Sequence, residues 1–472
     1  MRRTKIAIIG AGSAGLSALR QVKTCTDDYL MFDPGPLGTT CARVGCMPSK
    51  VLIQTAKDYH RCHELAGKGI RGTEGLGPCS EDVLKHVRAL RDKFAGAMRK
   101  VTEELAGDHL VRSNVRILAP DRIAADGEEI GVERLIIAVG SHPVVPGPWR
   151  ALGDGLLTSD TVFEQEQLPR RIAVIGLGII GLELGQAFAR LGHEVTGFDM
   201  KTSIGGLTDP EIIRNAINII GSEFRLYLGQ PAQVKKTEDG IEVKTDDVQI
   251  TVDAIIAAMG VVPNIVDMGM ENLGVELDQR GIPPFDRLTM QVADLPVFIA
   301  GDANGCRPVL HEALDEGLIA GQNVCKDEMS EYCRRDMLRI VFSDPELAVA
   351  GRSYAQTIDQ DPVIGSADFS DQSRAMVEGR AEGLLRIYMC RKSANLLGAE
   401  MSTPDAEHLA HLLAWAVQQN LGAYQLLRMP YYHPTLEEGI RSAVRHAVQQ
   451  LPENERPDEV SVCASTPEQP LC

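Results

Sequence analysis

Two stretches of the chain carry the same order of apolar and polar positions. The first runs TKIAIIGAGSAG, a stretch of helical spacing, then DYLMFD; the second runs RRIAVIGLGIIG, a second helical stretch, then HEVTGFD. In each, an apolar strand leads into a glycine-rich turn, an amphipathic helix follows, and the next strand closes on an acid. Gly10 to Asp33 and Gly176 to Asp199 both span 23 residues. Each half also contains a later apolar strand ending in glycine, RLIIAVG at Gly140 and AIIAAMG at Gly260, followed by a short proline-containing stretch.

Between the second and third strands of the first half lies a largely helical insertion, from about Cys41 to Leu110. A further strand, LPVFIAGD, ends at Asp302 and leads into the helical pattern HEALDEGLIAGQNV. From about Leu338 strands come first (LRIVFS, GLLRIYMC) and helices follow from Asp405, the pattern of a separate α+β domain. The fold expected is therefore α/β: two Rossmann-like dinucleotide-binding domains plus a C-terminal α+β domain. The expected boundaries are 1–145 with 271–335, 146–270, and 336–450. The proline- and acid-rich residues 451–472 read as a disordered tail.

The doubled pattern points to two dinucleotide sites. Gly10 and Gly176 permit the tight turn, Gly12 and Gly178 let backbone approach a pyrophosphate, and Gly15 and Gly181 allow close helix packing. The helix N-terminus then faces the negative charge. Asp33 and Asp199 are placed to accept hydrogen bonds from ribose hydroxyls. An acid at Asp199 repels a 2′-phosphate, which favours NAD over NADP at the second site.

Charge and composition narrow the function classes. With 48 Lys and Arg against 65 Asp and Glu, the net charge is −17, the reverse of what a general nucleic-acid binder needs. Aromatic residues make up 4% of the chain, too few for rows of base-stacking platforms. No apolar run reaches the roughly 18 residues of a membrane span. The basic N-terminus is interrupted by Gly10 to Gly15 before a secretory core forms, so a cytosolic protein is expected. Eleven cysteines fit mostly reduced thiols with one special pair. No CxxC cluster of metal-binding spacing occurs, and no metal is assigned.

Cys41 and Cys46, in GTTCARVGCMPSK, are the candidate special pair. Residues five apart on an ideal helix lie about 8 to 9 Å apart, beyond the roughly 7 Å that a disulfide spans. A bond between them needs a distorted turn, which Gly45 would permit, and a helix N-terminus there would favour thiolate. Spacing alone leaves both a redox pair and two inert thiols open.

GTTCARVGCMPSK resembles the redox-active signature of the pyridine nucleotide-disulfide oxidoreductases, commonly GGTCxNxGCxPSK. Further matches follow in family order: GAGSAG, IIAVGSHPVVPG, GLGIIGLELG, VFIAGD, SDPELAVAG, LLGAE and HPTLEE, together covering about residues 5 to 445. Within the family the likeness is to dihydrolipoamide dehydrogenases. The resemblance implies FAD in the first site and NAD in the second. It implies that Cys46 lies against the flavin, Cys41 exchanges with substrate, and Lys50 sits near the flavin, paired with Glu183. Asp302 is implied to bind the FAD ribitol, with Leu310 and His311 in the loop beyond. His433, oriented by Glu438, is implied as the acid/base serving the partner subunit of a homodimer. On this reading the enzyme oxidises dihydrolipoyl groups and reduces NAD, with a lipoyl-bearing protein as partner.

The match has departures. Thr39 replaces the second glycine of the signature, Arg43 the usual asparagine, Tyr431 a further histidine, and Val261 an arginine near the second nucleotide site. Other readings on the same scaffold are a glutathione- or mercuric-reductase-like enzyme and a soluble transhydrogenase or diaphorase. A non-catalytic assembly subunit belongs to a different class. Cys463 and Cys472 read as incidental tail thiols, with an electron relay as the alternative.

Overall fold

In a computed structural model of the protein, residues 2–73, 75–451 and 459–460 are described. Nearly all of the tail, with Cys463 and Cys472, lies outside the described residues. Glu459 within it pairs with Arg441 and Arg445.

In chain order, the first repeat forms strand β1 (Arg2–Ile9), helix α1 (Ser13–Cys25) and strand β2 (Tyr29–Phe32). The insertion contains helices α2 (Cys46–Leu65) and α3 (Ser80–Ala106), and strand β3 (Glu128–Ile137) follows. The second repeat forms β4 (Arg171–Ile175), α4 (Ile179–Arg190), β5 (Glu194–Asp199) and β6 (Arg225–Leu228). Next come β7 (Val297–Ile299) and α5 (Leu310–Asn323). The C-terminal region adds strands β8 (Leu338–Val341), β9 (Glu346–Gly351), β10 (Val363–Asp368), β11 (Leu384–Met389) and β12 (Leu396–Thr403), then helices α6 (Ala406–Gln418) and α7 (Glu438–Val448).

These elements group into two units. One comprises Met1–Ile172, Val234–Val243 and Ile250–Arg334; the other comprises Ala173–Gln233, Lys244–Gln249 and Arg335–Cys472. In the first, β1 lies between β2 and β3, parallel to both, and β7 runs parallel to the C-terminal part of β3. Side chains alternate across a strand, so Ile6 and Ile8 of β1 enter one core with Leu16, Leu19 and Phe298. Ala7 and Ile9 enter the other with Phe32, Leu135 and Val297. Parallel strands covered on both faces are continuous apolar runs, and these strands fit that pattern within a mixed sheet. The two proline-containing stretches that follow the glycine-ended strands pair with each other, Ser141–Pro143 antiparallel to Val261–Pro263.

In the second unit, β5 lies between β4 and β6. The C-terminal strands form an antiparallel sheet in the order β8-β9-β12-β11-β10. Its apolar face is covered by α6 and α7 through Leu409, Leu413, Ile440 and Val444. Two buried acids tie the stretch after β5 to this sheet. Glu400 accepts the backbone N–H groups of Thr208, Asp209 and Tyr354, while Asp209 accepts from Arg386 and the Tyr388 hydroxyl. Paired and hydrogen-bonded in this way, the carboxylates are tolerated in a dry interior. No helix among the described residues is long and apolar enough to cross a membrane.

Candidate active site

The two glycine turns are structural duplicates. Gly10 and Gly176 adopt φ of +105° and +97°, a region that an L side chain disfavours. A Cβ on Gly15 would lie 1.9 Å from the Gly10 carbonyl oxygen, and one on Gly181 would lie 1.8 Å from that of Gly176. The third glycine therefore lets the helix start press against the turn. Gly12 and Gly178 precede α1 and α4, neither helix has a side-chain cap, and a Cβ on either glycine would meet nothing within 4 Å. Open space beside uncapped amide groups is what a pyrophosphate requires.

The two acids repeat as well. Asp33 accepts the N–H of Ala11 at 2.8 Å on one oxygen and that of Gly35 at 2.7 Å on the other. Asp199 accepts the N–H of Leu177 at 2.7 Å and that of Lys201 at 2.8 Å. Each acid thus fastens the glycine turn to the end of the neighbouring strand, a role that spacing does not reveal.

Asp302 follows β7 in a tight turn, half-buried, and accepts the Ser141 hydroxyl at 2.7 Å. Burial pushes its carboxyl above the usual carboxylate range, against the opposing Ser141 hydrogen bond. The turn is held from α5: Glu316 accepts the Gly301 N–H at 2.8 Å and the Asn304 amide at 2.6 Å. Arg334 bridges Glu316 and Glu312, and Arg307 completes the set on Glu312. Nothing in the sequence pattern marks these four residues, because none falls within a recognisable motif. Leu310 and His311, expected in a loop beyond Asp302, instead open helix α5, and Leu310 is 40% exposed.

Cys41 lies in a single helical turn, Thr40–Arg43, that stops before Gly45; Cys46 then opens the 20-residue helix α2. Gly45 adopts φ −106° and ψ −113°, and a Cβ there would approach the Cys41 Cα to 3.2 Å. The helix is broken between the cysteines, which removes the separation that a continuous helix would impose. Both are free thiols, half-buried, and the thiols are hydrogen-bonded to each other. That hydrogen bond, then burial and the charge of Cys46, raise the Cys41 thiol well above its ordinary range, while Lys50 pulls the other way. The start of α2 and the charge of Lys50, one turn along, both lower the cost of a thiolate in this pair. Thr39 has φ +58° and ψ 146°, a conformation suited to the glycine of the usual signature, and its hydroxyl caps the short turn at the Ala42 N–H.

In the second unit, Glu183 is buried on α4 and accepts the Phe342 N–H at 3.0 Å. His433 is 71% exposed at its side chain, and its Nδ1 lies 3.0 Å from the Glu438 carboxylate, which also accepts the Thr435 N–H. The carboxylate holds the exposed ring through Nδ1. Tyr431, half-buried, donates its hydroxyl to the Leu426 carbonyl.

One covalent link was not anticipated: Cys25 at the end of α1 is disulfide-bonded to Cys325 just beyond α5, with Cα atoms 6.0 Å apart. The special pair that is bonded is this one, whereas Cys41 and Cys46 are thiols. A separation of 300 residues leaves no sequence signal for it.

Two nucleotide cradles, a thiol pair at a helix start and a separate antiparallel sheet define a flavin- and pyridine-nucleotide-dependent disulfide oxidoreductase. Residues 4–317 match the family model for the pyridine nucleotide-disulphide oxidoreductases, and 337–444 match that family's dimerisation domain. The chain belongs to this family, whose members use FAD and NAD. It is 30% identical over 464 residues to the dihydrolipoyl dehydrogenase of Thermus scotoductus, covering 94% of this chain and 97% of the relative. To the mitochondrial dihydrolipoyl dehydrogenase of Sus scrofa it is 28% identical over 469 residues, covering 93% and 89%. Its fold is similar to that of the HOCl-induced flavoprotein disulfide reductase RclA of Escherichia coli, with a TM-score of 0.80, 20% identity, and coverage of 93% and 99%. LpdA of Mycobacterium tuberculosis gives a TM-score of 0.82 at 22% identity, with coverage of 94% and 99%.

Proposed function

We propose that this enzyme oxidises dihydrolipoyl groups to lipoyl with reduction of NAD. The observation that carries the reading is the dithiol at Cys41 and Cys46, hydrogen-bonded at the start of α2 and accompanied by Lys50. The dihydrolipoyl dehydrogenases that align with almost the whole chain support the choice of substrate. On this reading 1–145 with 271–335 binds FAD, 146–270 binds NAD, and 336–450 pairs with a second copy.

In the oxidised enzyme Cys41 and Cys46 share a disulfide. A dihydrolipoyl thiolate attacks the Cys41 sulfur, and Cys46 leaves as a thiolate stabilised by the helix start and Lys50. The second lipoyl thiol, deprotonated by His433, attacks the lipoyl sulfur of the mixed disulfide and displaces Cys41. His433 passes that proton to the departing Cys41 sulfur, Cys46 takes up a proton from solvent in place of the one lost when the first lipoyl thiolate formed, and lipoyl departs, leaving two hydrogen-bonded thiols. His433 needs Glu438 to hold its ring, and its exposure leaves it free to serve the site of a second copy. The Gly10 turn, Asp33 and Asp302 would hold FAD, which when bound would supply the two-electron transfer from the thiol pair to NAD.

The test is NAD reduction by dihydrolipoamide with the purified holoenzyme, beside the Cys46→Ser variant and with NADP in parallel. Turnover that prefers NAD and disappears in the variant is expected. A holoenzyme that accepts electrons from NADH but gives no dihydrolipoamide turnover overturns the substrate assignment and turns attention to glutathione, other disulfides and mercuric ion.

A further inference from the structure

We infer that Cys25 and Cys325 form a second thiol–disulfide site, separate from Cys41 and Cys46, whose oxidation state controls how firmly the first unit holds its flavin. The inference rests on FAD occupying the first glycine turn and is independent of which disulfide the enzyme turns over.

Helices α1 and α5 run side by side in the same direction. A Cβ on Gly317 would lie 2.2 Å from the Ala14 carbonyl oxygen, and one on Gly321 would lie 2.6 Å from that of Ala18, so the backbones pack without intervening side chains. The Ser17 hydroxyl donates to the Leu314 carbonyl at 2.7 Å across the same seam. Both helices therefore begin at the cofactor end. The uncapped start of α1 follows Gly12, while the first turns of α5 hold the Asp302 turn through Glu316. The disulfide joins the pair at the opposite end, at the last residue of α1 and two residues past the end of α5. It is the covalent tie between the two helices whose starts would hold the pyrophosphate and ribitol of the flavin cofactor. Closing a 300-residue loop also restricts the unfolded chain strongly.

The bond is accessible. Cys25 is exposed and Cys325 half-buried, so the Cys25 sulfur can be reached by an external dithiol. One thiolate of the dithiol attacks the Cys25 Sγ, the Cys25–Cys325 bond breaks, and Cys325 leaves as a thiolate that takes up a proton. The second thiolate then attacks the dithiol's own sulfur in the mixed disulfide, releasing Cys25 as a thiol and closing the dithiol into a cyclic disulfide. Two electrons and two protons pass to the protein. The seam then depends on packing alone, and its fraying end is no longer fastened.

The test uses purified holoenzyme, dithiothreitol as the dithiol, and the double variant Cys25→Ser/Cys325→Ser. Alkylation and peptide mass analysis should find Cys25 and Cys325 protected before dithiothreitol and labelled after it. Flavin release, followed by fluorescence, should quicken about tenfold in the reduced wild type. The variant should release flavin at that faster rate with or without dithiothreitol. The flavin-free wild type should melt about 5 °C lower after reduction. Labelling of both cysteines without reductant, a release rate unchanged by reduction, or an equal acceleration in the variant would each overturn the inference. If the double variant does not fold, a dithiothreitol titration of the wild type decides: release must quicken in step with labelling at Cys25 and Cys325 rather than at Cys41 and Cys46.

Discussion

Glu316 accepts the backbone N–H of Gly301 at 2.8 Å, so a buried carboxylate on α5 fixes the turn that presents Asp302. Arg334 is what makes that buried charge tolerable, since it pairs with both Glu316 and Glu312. Truncating Arg334 to Ala leaves two buried carboxylates short of a partner and should destabilise the first unit by about 3 kcal/mol. Denaturant unfolding of the flavin-free protein measures the loss.

The pH dependence of that loss has a definite sign. Burial already raises the Glu316 carboxyl, against the charge and hydrogen bond of Arg334. A carboxyl raised in the folded state contributes stability below its unfolded value and loses it as pH rises through the folded value. On Glu312 burial is outweighed by Arg307 and Arg334, so that carboxyl is lowered and contributes stability above its unfolded value. Removing Arg334 strengthens the first effect and weakens the second. Thermal unfolding of Arg334→Ala against wild type should therefore show a gap that is wider at pH 8 than at pH 5; a gap that widens toward acid would contradict the assignment.

Thr39 allows a test of local strain. Its φ of +58° is costly for a β-branched residue, while its hydroxyl gives back one capping hydrogen bond. Thr39→Gly should stabilise the protein by about 1 kcal/mol, and Thr39→Ala, which keeps the strain and loses the cap, should destabilise it by about 1 kcal/mol. Equilibrium unfolding midpoints of the two variants should fall on opposite sides of wild type.

Gly15→Ala and Gly181→Ala place a methyl group at nearly the same forbidden distance from the preceding turn. The first should yield protein depleted of flavin, read from its visible absorption. The second should keep its flavin and lose most NAD binding, at least about tenfold in affinity by calorimetry.

Glu438→Gln tests the histidine dyad. Nδ1 of His433 loses its charged partner 3.0 Å away, while the residues at the thiol pair are untouched. In the dihydrolipoamide assay kcat should fall about tenfold with KM near its original value, and Glu438→Asp should recover part of it. A rise in KM at constant kcat would mark Glu438 as a substrate contact rather than a positioning residue.

The parts legible in the sequence were those with a short-range cause. The strand, glycine turn, helix and acid of each repeat are local patterns, and Gly10, Gly15, Gly176 and Gly181 stand where steric space demands them. Gly45 marked where a distorted turn between Cys41 and Cys46 would be permitted, but spacing alone did not decide that the helix breaks there. Long-range partners were not legible. The Cys25–Cys325 bond, the hold of Glu316 on Gly301, and the pairing of Ser141–Pro143 with Val261–Pro263 depend on residues brought together only by the finished fold. The positive φ at Thr39 was equally hidden, for the departure from the signature was visible but its conformation was not.

For anyone redesigning coenzyme preference, Asp199 presents a conflict. Replacing this acid is the obvious way to admit a phosphorylated ribose, yet both of its oxygens accept backbone amides, one from the glycine turn at Leu177 and one at Lys201. A neutral or basic substitute would loosen the loop on which either coenzyme rests, and selectivity would be gained at the expense of occupancy. The better starting point is to leave the acid in place and introduce positive charge further along, at Thr202, where the side chain is not part of that clasp.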